Sequence, residues 1–285
     1  MQPSFSSITP IFRGPFLEEV ALGTHLPTMR ELARHYLPFT PPPQTNPLRD
    51  WFDFFYKLLF DRYRCEYVYK NAIATRLFLS RHSLQNSFMT DEIRSASSRA
   101  DVAILNGTST VYEIKSEYDS FERLHDQLAD YRRVFDRICV ITTAAKAPIV
   151  LRTTETVIGV IVMRHDGTLS TIREPESNKS NTDPGATFDC MRQAEFCSAV
   201  AEAFGHIPDV PNSLLYRAAR AMFCRLSPAQ AHDLMVRQIK RRGKRKPFAD
   251  LINSAPKSLK HACINFTKSQ AMANNIAERL RLPLT

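Results

Sequence analysis

In the stretch "SRADVAILNGTSTVYEIKSE" three charged residues, Asp101, Glu113 and Lys115, sit inside otherwise apolar strand-like segments. Two carboxylates can share a divalent cation, and an ammonium can neutralise carboxylates or lie beside an anionic group. The segments around them alternate as strands do, and Asn106-Gly107 between them signals a turn. Alternation puts Val102, Ile104, Tyr112 and Ile114 on one wholly apolar face. The charged residues fall on the other face, with Ala103, Leu105 and Val111 nearer the turn.

Register decides whether the charges meet. A two-residue Asn-Gly loop would pair Asp101 with Tyr112 and separate it from Glu113. A loop of Asn106, Gly107 and Thr108 pairs Leu105 with Ser109, and therefore Asp101 with Glu113 on one face. The charge pattern favours the odd loop, or a bulge. Carboxylates directly opposite one another repel unless a cation lies between them. Lys115 is one candidate for that cation and a divalent metal ion is the other. The plain alternative is a solvent-exposed strand end carrying an ordinary Glu–Lys pair.

Around this hairpin the chain reads as follows. Residues 1–50 form an accessory segment, with a short helix in "TMRELARHY" and a proline-rich linker in "LPFTPPPQTNP". Helical patterns cover "WFDFFYKLLFDRY" and "CEYVYKNAIATRLFLSRH", the latter with Val68, Ala72, Thr75 and Leu79 on one face. Three strands, "MTDEIR", "ADVAIL" and "TVYEIK", precede the helix "SFERLHDQLADYRRVFD" and the strand "ICVITT"; "VIGVIVM" and "HDGTLST" add a strand pair. The order is helix, three strands, helix, strand, which makes 51–173 an α/β core. Residues 174–187 read as a linker or loop, and 188–285 as a helical, basic region in which Ser227-Pro228 starts a helix and Gly243 stops one.

The positive charge is concentrated at one end. Residues 216–285 hold 15 Lys and Arg against 3 Asp and Glu, although the whole chain carries a formal net charge of only +9. That asymmetry points to a polyanion, nucleic acid before a membrane surface. Its densest part holds Arg237, Lys240, Arg241, Arg242, Lys244, Arg245 and Lys246, which would contact backbone phosphates without reading sequence. The plain alternative is a solvated helix end. Arg94 and Arg99 flank the hairpin charges and are further candidates for phosphate contacts.

Other chemistries lack support. The six cysteines are scattered without a C-x-x-C pair, the histidines show no metal-ligand spacing, and neither "GTST" nor "RRGKRK" is a phosphate loop. With no signal peptide and no apolar run of membrane-spanning length, the expectation is a cytoplasmic protein with reduced thiols.

At Asp101 and "EIK" (Glu113 to Lys115) the chain resembles the PD-(D/E)XK nuclease superfamily, the restriction-endonuclease-like fold of Holliday-junction resolvases and RecB-type exonucleases. Gln127 and Tyr131 in "DQLADY" fit the Q-x-x-x-Y of RecB-like members, and Glu66 in "CEYVYKN" fits the acid of the preceding helix. Ala100 stands where the family has Pro. More loosely, the whole chain resembles a bacterial group of nuclease-like proteins that add a helical C-terminal part to this core.

The resemblance implies a restriction-endonuclease-like core and a metal-dependent nuclease acting on DNA, with RNA left open, in DNA processing or defence against mobile elements. It implies Mg2+ or Mn2+ held by Asp101, Glu113, the Ile114 carbonyl and Glu66. Lys115 would orient or deprotonate the attacking water, Gln127 would lie near the metal or phosphate, and Tyr131 would act there or serve the core. A single metal site cuts one strand at a time, so double-strand cutting would imply a homodimer or two successive events. The alternatives are a non-catalytic nucleic-acid-binding module of the same fold and an interaction protein for an acidic partner.

Overall fold

The computed structural model describes residues 4–244 and 248–284. Contacts divide the chain into two compact units, Met1–Arg81 with Lys246–Thr285, and His82–Arg245. The sequence reading divided the chain after residues 50, 173 and 187 instead. One reason for the difference is long-range pairing that no local pattern announces. Within the first unit Leu48 N–H donates to the Leu282 carbonyl at 2.8 Å, and Arg49 N–H to that of Leu280 at 3.1 Å.

The first unit is helical. It begins with α1 (Gly14–Leu22), α2 (Leu26–His35) and α3 (Leu48–Arg62). Helix α3 forms because Trp51, Phe52, Phe55, Leu58 and Leu59 recur at helical spacing and are all buried. Helix α4 (Glu66–Ala72) continues through a π-helical stretch, Ile73–Phe78, into α5 (Leu79–Arg81). The wider π turn moves the face predicted from a regular period. Ile73, Ala74, Leu77 and Phe78 are buried, whereas Thr75 and Leu79 are half-buried.

The second unit is α/β. Its sheet contains β1 (Phe88–Ser95), β2 (Ser98–Leu105), β3 (Ser109–Lys115), β4 (Arg137–Thr143), β5 (Gly159–Met163) and β6 (Leu169–Arg173), in that spatial order. The strands β1 to β3 form an antiparallel meander, β3, β4 and β5 are parallel, and β6 returns antiparallel. Parallel neighbours need crossovers. These are α6 (Leu124–Arg132) between β3 and β4, and α7 (Ala147–Thr153) between β4 and β5. The sequence reading missed α7, which is only seven residues long.

Helices α8 (Pro184–Asp189), α9 (Gln193–Phe204), α10 (Asn212–Phe223) and α11 (Pro228–Lys244) complete this unit. The chain then returns to the first unit as α12 (Ala249–Ser254), α13 (Lys260–Phe266) and α14 (Gln270–Arg279). The core of the second unit joins Ala103, Leu105 and Val111 of the meander to Leu128 of α6, Phe188 of α8 and Phe223 of α10.

Two expectations need correction here. The segment 174–187 is built into the second unit: Asp136 accepts from Ser177 Oγ at 2.5 Å and from the Asn178 and Lys179 N–H groups at 3.1 and 3.0 Å. Asp183 then caps α8 by accepting from Gly185 N–H and Ala186 N–H. Gly243 does not stop its helix, since α11 runs on to Lys244. A Cβ there would meet Phe88 Cδ2 at 2.6 Å, so glycine permits close packing. The start of α11 is as read: Ser227 Oγ accepts from Gln230 N–H at 3.4 Å, and Gln230 Oε1 accepts from Ser227 N–H at 3.0 Å.

Candidate active site

Strands β2 and β3 pair from Leu105↔Ser109 to Val102↔Tyr112. The loop is therefore Asn106, Gly107 and Thr108, with Gly107 at φ 119°, a conformation that favours glycine. Continuing this register sets Asp101 opposite Glu113. There the ladder ends. Strand β2 goes on pairing with β1 through Ala100 and Arg99, while β3 goes on with β4 as far as Lys115↔Thr142. The Asp101 side chain fills the break, with Oδ2 accepting from Ile114 N–H at 2.7 Å.

Glu113 and Lys115 are buried at 2% and 7% exposure, which overturns the reading of a solvated strand end. Lys115 Nζ lies 2.9 Å from Glu113 Oε1 and donates to Gln127 Oε1 at 2.9 Å. Tyr131 OH lies 2.6 Å from Glu113 Oε2 and 2.8 Å from the Arg99 carbonyl. A phenol has one proton, so it serves one of these two acceptors at a time. Burial, and then the neighbouring Glu113 carboxylate, push the Tyr131 hydroxyl well above the usual tyrosine range. It therefore remains a hydrogen-bond donor across the ordinary pH range.

Helix α6 supplies Gln127 and Tyr131 from one face because they are four residues apart. The same helix buries Leu124, Leu128 and Tyr131, which fixes its rotation. Two strands and a helix thus bring Asp101, Glu113, Lys115, Gln127 and Tyr131 together. Glu66 belongs to the first unit, where it opens α4 and ion-pairs with Lys70 at 2.6 Å. Ile114 takes part through its N–H, which Asp101 accepts.

The nominated phosphate contacts fare differently. Arg94 and Arg99 are exposed, and Arg99 pairs with Glu92 at 3.3 Å. Arg237 and Arg241 pair with Glu202 of α9 at 2.9 and 3.7 Å. Arg242 makes two bonds of 2.6 Å to Glu195 of the same helix. Lys240 is half-buried. Lys244 ends α11, and Arg245 and Lys246 lie outside the described residues.

One residue beside the site escaped the sequence reading. Lys146, in the turn before α7, donates to the carbonyls of Ser116 and Asp119 at 2.7 and 2.6 Å and so ties down the chain just after β3. Its charge was the only sequence signal, and charge alone does not distinguish it from a solvated lysine.

The donors suit a hard cation. Among the described residues no group of three His, Cys, Asp or Glu is placed to hold a metal ion. Mg2+ asks for less, because it keeps several waters and takes one or two carboxylates plus substrate phosphate. Asp101 and Glu113 are the two carboxylates present, and both Glu113 oxygens already have partners within the protein. Among the described residues no helix is long and apolar enough to cross a membrane.

Comparison with known proteins gives three results. A family model described as "Bacteriophage P4 protein cII" matches residues 61–262, more than half of the chain and all of the candidate site. Protein cII of Enterobacteria phage P4 is 42% identical over 45 residues, a match that covers 16% of this chain and only 17% of that relative's length. A solved structure, a protein of unknown function from Silicibacter pomeroyi, is 18% identical; the match covers 42% of this chain and 84% of that one with a TM-score of 0.30.

Proposed function

The chain belongs to the bacteriophage P4 protein cII family, and we propose that it is a metal-dependent nuclease that hydrolyses phosphodiester bonds in DNA. The supporting observation is the convergence of half-buried Asp101 and Gln127 on buried Glu113, Lys115 and Tyr131 where β2 and β3 part. Burying charge is unfavourable unless each group is matched. A set matched this closely, at the end of a rigid hairpin, suits a reaction on an anion. The order of meander, helix and parallel strand within the second unit supports a restriction-endonuclease-like core there.

When bound, Mg2+ or Mn2+ would polarise a phosphoryl oxygen and lower the pKa of a coordinated water. Asp101 and Glu113 would hold the cation. Tyr131 fixes the Glu113 carboxylate by donating to Oε2, which leaves Oε1 turned to Lys115. Gln127 orients Lys115, whose ammonium steers the attacking water and offsets charge building up on the phosphate.

One observation favours a second reading, a non-catalytic nucleic-acid-binding module of the same fold. Both Glu113 oxygens already have internal partners. The deciding experiment is cleavage of plasmid and single-stranded DNA with Mg2+, Mn2+ or EDTA, using wild type, Asp101→Ala and Lys115→Ala. Metal-dependent cutting lost in both folded variants supports the nuclease. Salt-sensitive binding without cutting, unchanged in the variants, moves the reading to the module.

A further inference from the structure

Directly after Lys115 the chain makes a turn that is held at many points. Ser116 N–H and Oγ both donate to Asp119 Oδ2, at 2.9 and 2.5 Å. Tyr118 N–H donates to Ser116 Oγ at 3.3 Å. From the far side of the turn Lys146 binds the carbonyls of Ser116 and Asp119. Its ammonium also lies 5.4 Å from the centre of the Phe121 ring.

On this fixed turn Tyr118 is 60% exposed, three residues from a lysine that is 7% exposed. Three peptide steps limit the Cα separation of Lys115 and Tyr118 to about 11 Å. An exposed tyrosine on a free loop would carry no message. Here the backbone under the ring is immobilised by backbone, hydroxyl, carboxylate and ammonium together, so a ligand stacking on the ring would not have to order the loop first.

We propose that Tyr118 is a stacking platform for an unpaired base beside the phosphate held at Lys115, which makes the substrate single-stranded at the point of cleavage. This rests on the nuclease reading above. In a duplex both faces of a base are covered by its neighbours, so a side chain can stack only on a base that is unpaired or flipped out. The segment carries exposed carboxylates at Glu117 and Glu122 beside exposed Arg123. The contact assigned to Tyr118 is with the face of its ring. Base–aromatic stacking changes affinity by about 5- to 150-fold per base, and it releases no counterions.

The test is fluorescence anisotropy in EDTA with a labelled single-stranded DNA oligonucleotide and the same sequence as a duplex, using wild type, Tyr118→Ala and Tyr118→Phe. Tyr118→Ala should lose at least about fivefold on the single strand and less than about twofold on the duplex, with Tyr118→Phe near wild type. The loss should be the same at low and high salt. An unchanged affinity, an equal loss on both substrates, or a loss that shrinks with salt overturns the inference. Metal-dependent cleavage by wild type is measured alongside. If wild type cuts and Tyr118→Ala binds as wild type does, this inference alone fails; if wild type neither binds nor cuts, the nuclease reading fails and this one with it.

Discussion

Lys115 Nζ lies 2.9 Å from Glu113, and Arg237 Nε lies 2.9 Å from Glu202. The first pair is 9% and 2% exposed at its side chains, the second 53% and 34%. Both belong to charge clusters that stand out in the sequence. Equal separation conceals a large difference, because solvent screens the second pair and largely spares the first. The buried pair constrains what the site can do. In the exposed one, part of the basic run spends its charge on carboxylates of α9. Charge density along a sequence is thus a poorer guide to a site than the convergence of elements on a buried charge.

The largest effect that would sharpen this contrast is on catalysis. Lys115→Ala and Asp101→Ala should each slow metal-dependent DNA cleavage by at least about a hundredfold, with the fold verified by circular dichroism. Arg237→Gln should leave the rate nearly unchanged. A cutting-competent Lys115→Ala enzyme would remove the distinction between the regions.

Next comes stability. A double-mutant cycle on Glu113 and Lys115, read by urea unfolding, should give a coupling of about 3 kcal/mol, since removing either partner strands a buried charge. The same cycle on Arg237 and Glu202 should give less than about 1 kcal/mol. Similar couplings would mean that burial does not separate the two pairs.

Arg242 and Glu195 stand between these extremes, at 20% and 14% side-chain exposure. Arg242→Ala should cost about 1.5–2 kcal/mol through the lost charge-assisted bonds. Burial raises the Glu195 carboxyl, but hydrogen bonds from Arg242 and from Arg192 N–H outweigh it and hold the group below the ordinary glutamate range. The resulting stabilisation is present above the unfolded value, about pH 4.3, and is lost as pH falls through the depressed folded value. Acid titration of unfolding should therefore be shallower for Arg242→Ala than for wild type. An identical acid limb would show that Arg242 does not set the Glu195 pKa.

The smallest effect concerns nucleic acid. Arg237→Gln should weaken DNA binding by less than about threefold, because its guanidinium is already engaged by Glu202. A tenfold loss, read by anisotropy at fixed salt, would return this arginine to the binding surface.

Much of the site was legible in the sequence. Asp101, Glu113 and Lys115 were readable because a strand alternates with period two, so a charge on the wrong face is conspicuous. Gln127 and Tyr131 were nominated by the resemblance to RecB-like members, and helical spacing puts them on one face. Other features were hidden for physical reasons. Helix α7 is too short to show a period, and the π turn in Ile73–Phe78 has no compositional mark. The partners of Arg237 and Arg242 lie on another helix, so the basic run read as a phosphate-binding surface. The two-unit division depends on contacts between residues more than two hundred positions apart, such as Leu48 with Leu282.

The three-residue loop at Asn106–Thr108 has a further consequence, for how this gene can drift in length. Loop tips ordinarily tolerate insertions well. Here tolerance should depend on where the change falls. A residue added to or removed from the tip can be taken up in loop length while Leu105 still pairs with Ser109. One added or removed between Ser109 and Glu113 turns every later side chain of β3 to the opposite face. Functional relatives should therefore vary at the tip and keep the spacing from Ser109 to Lys115.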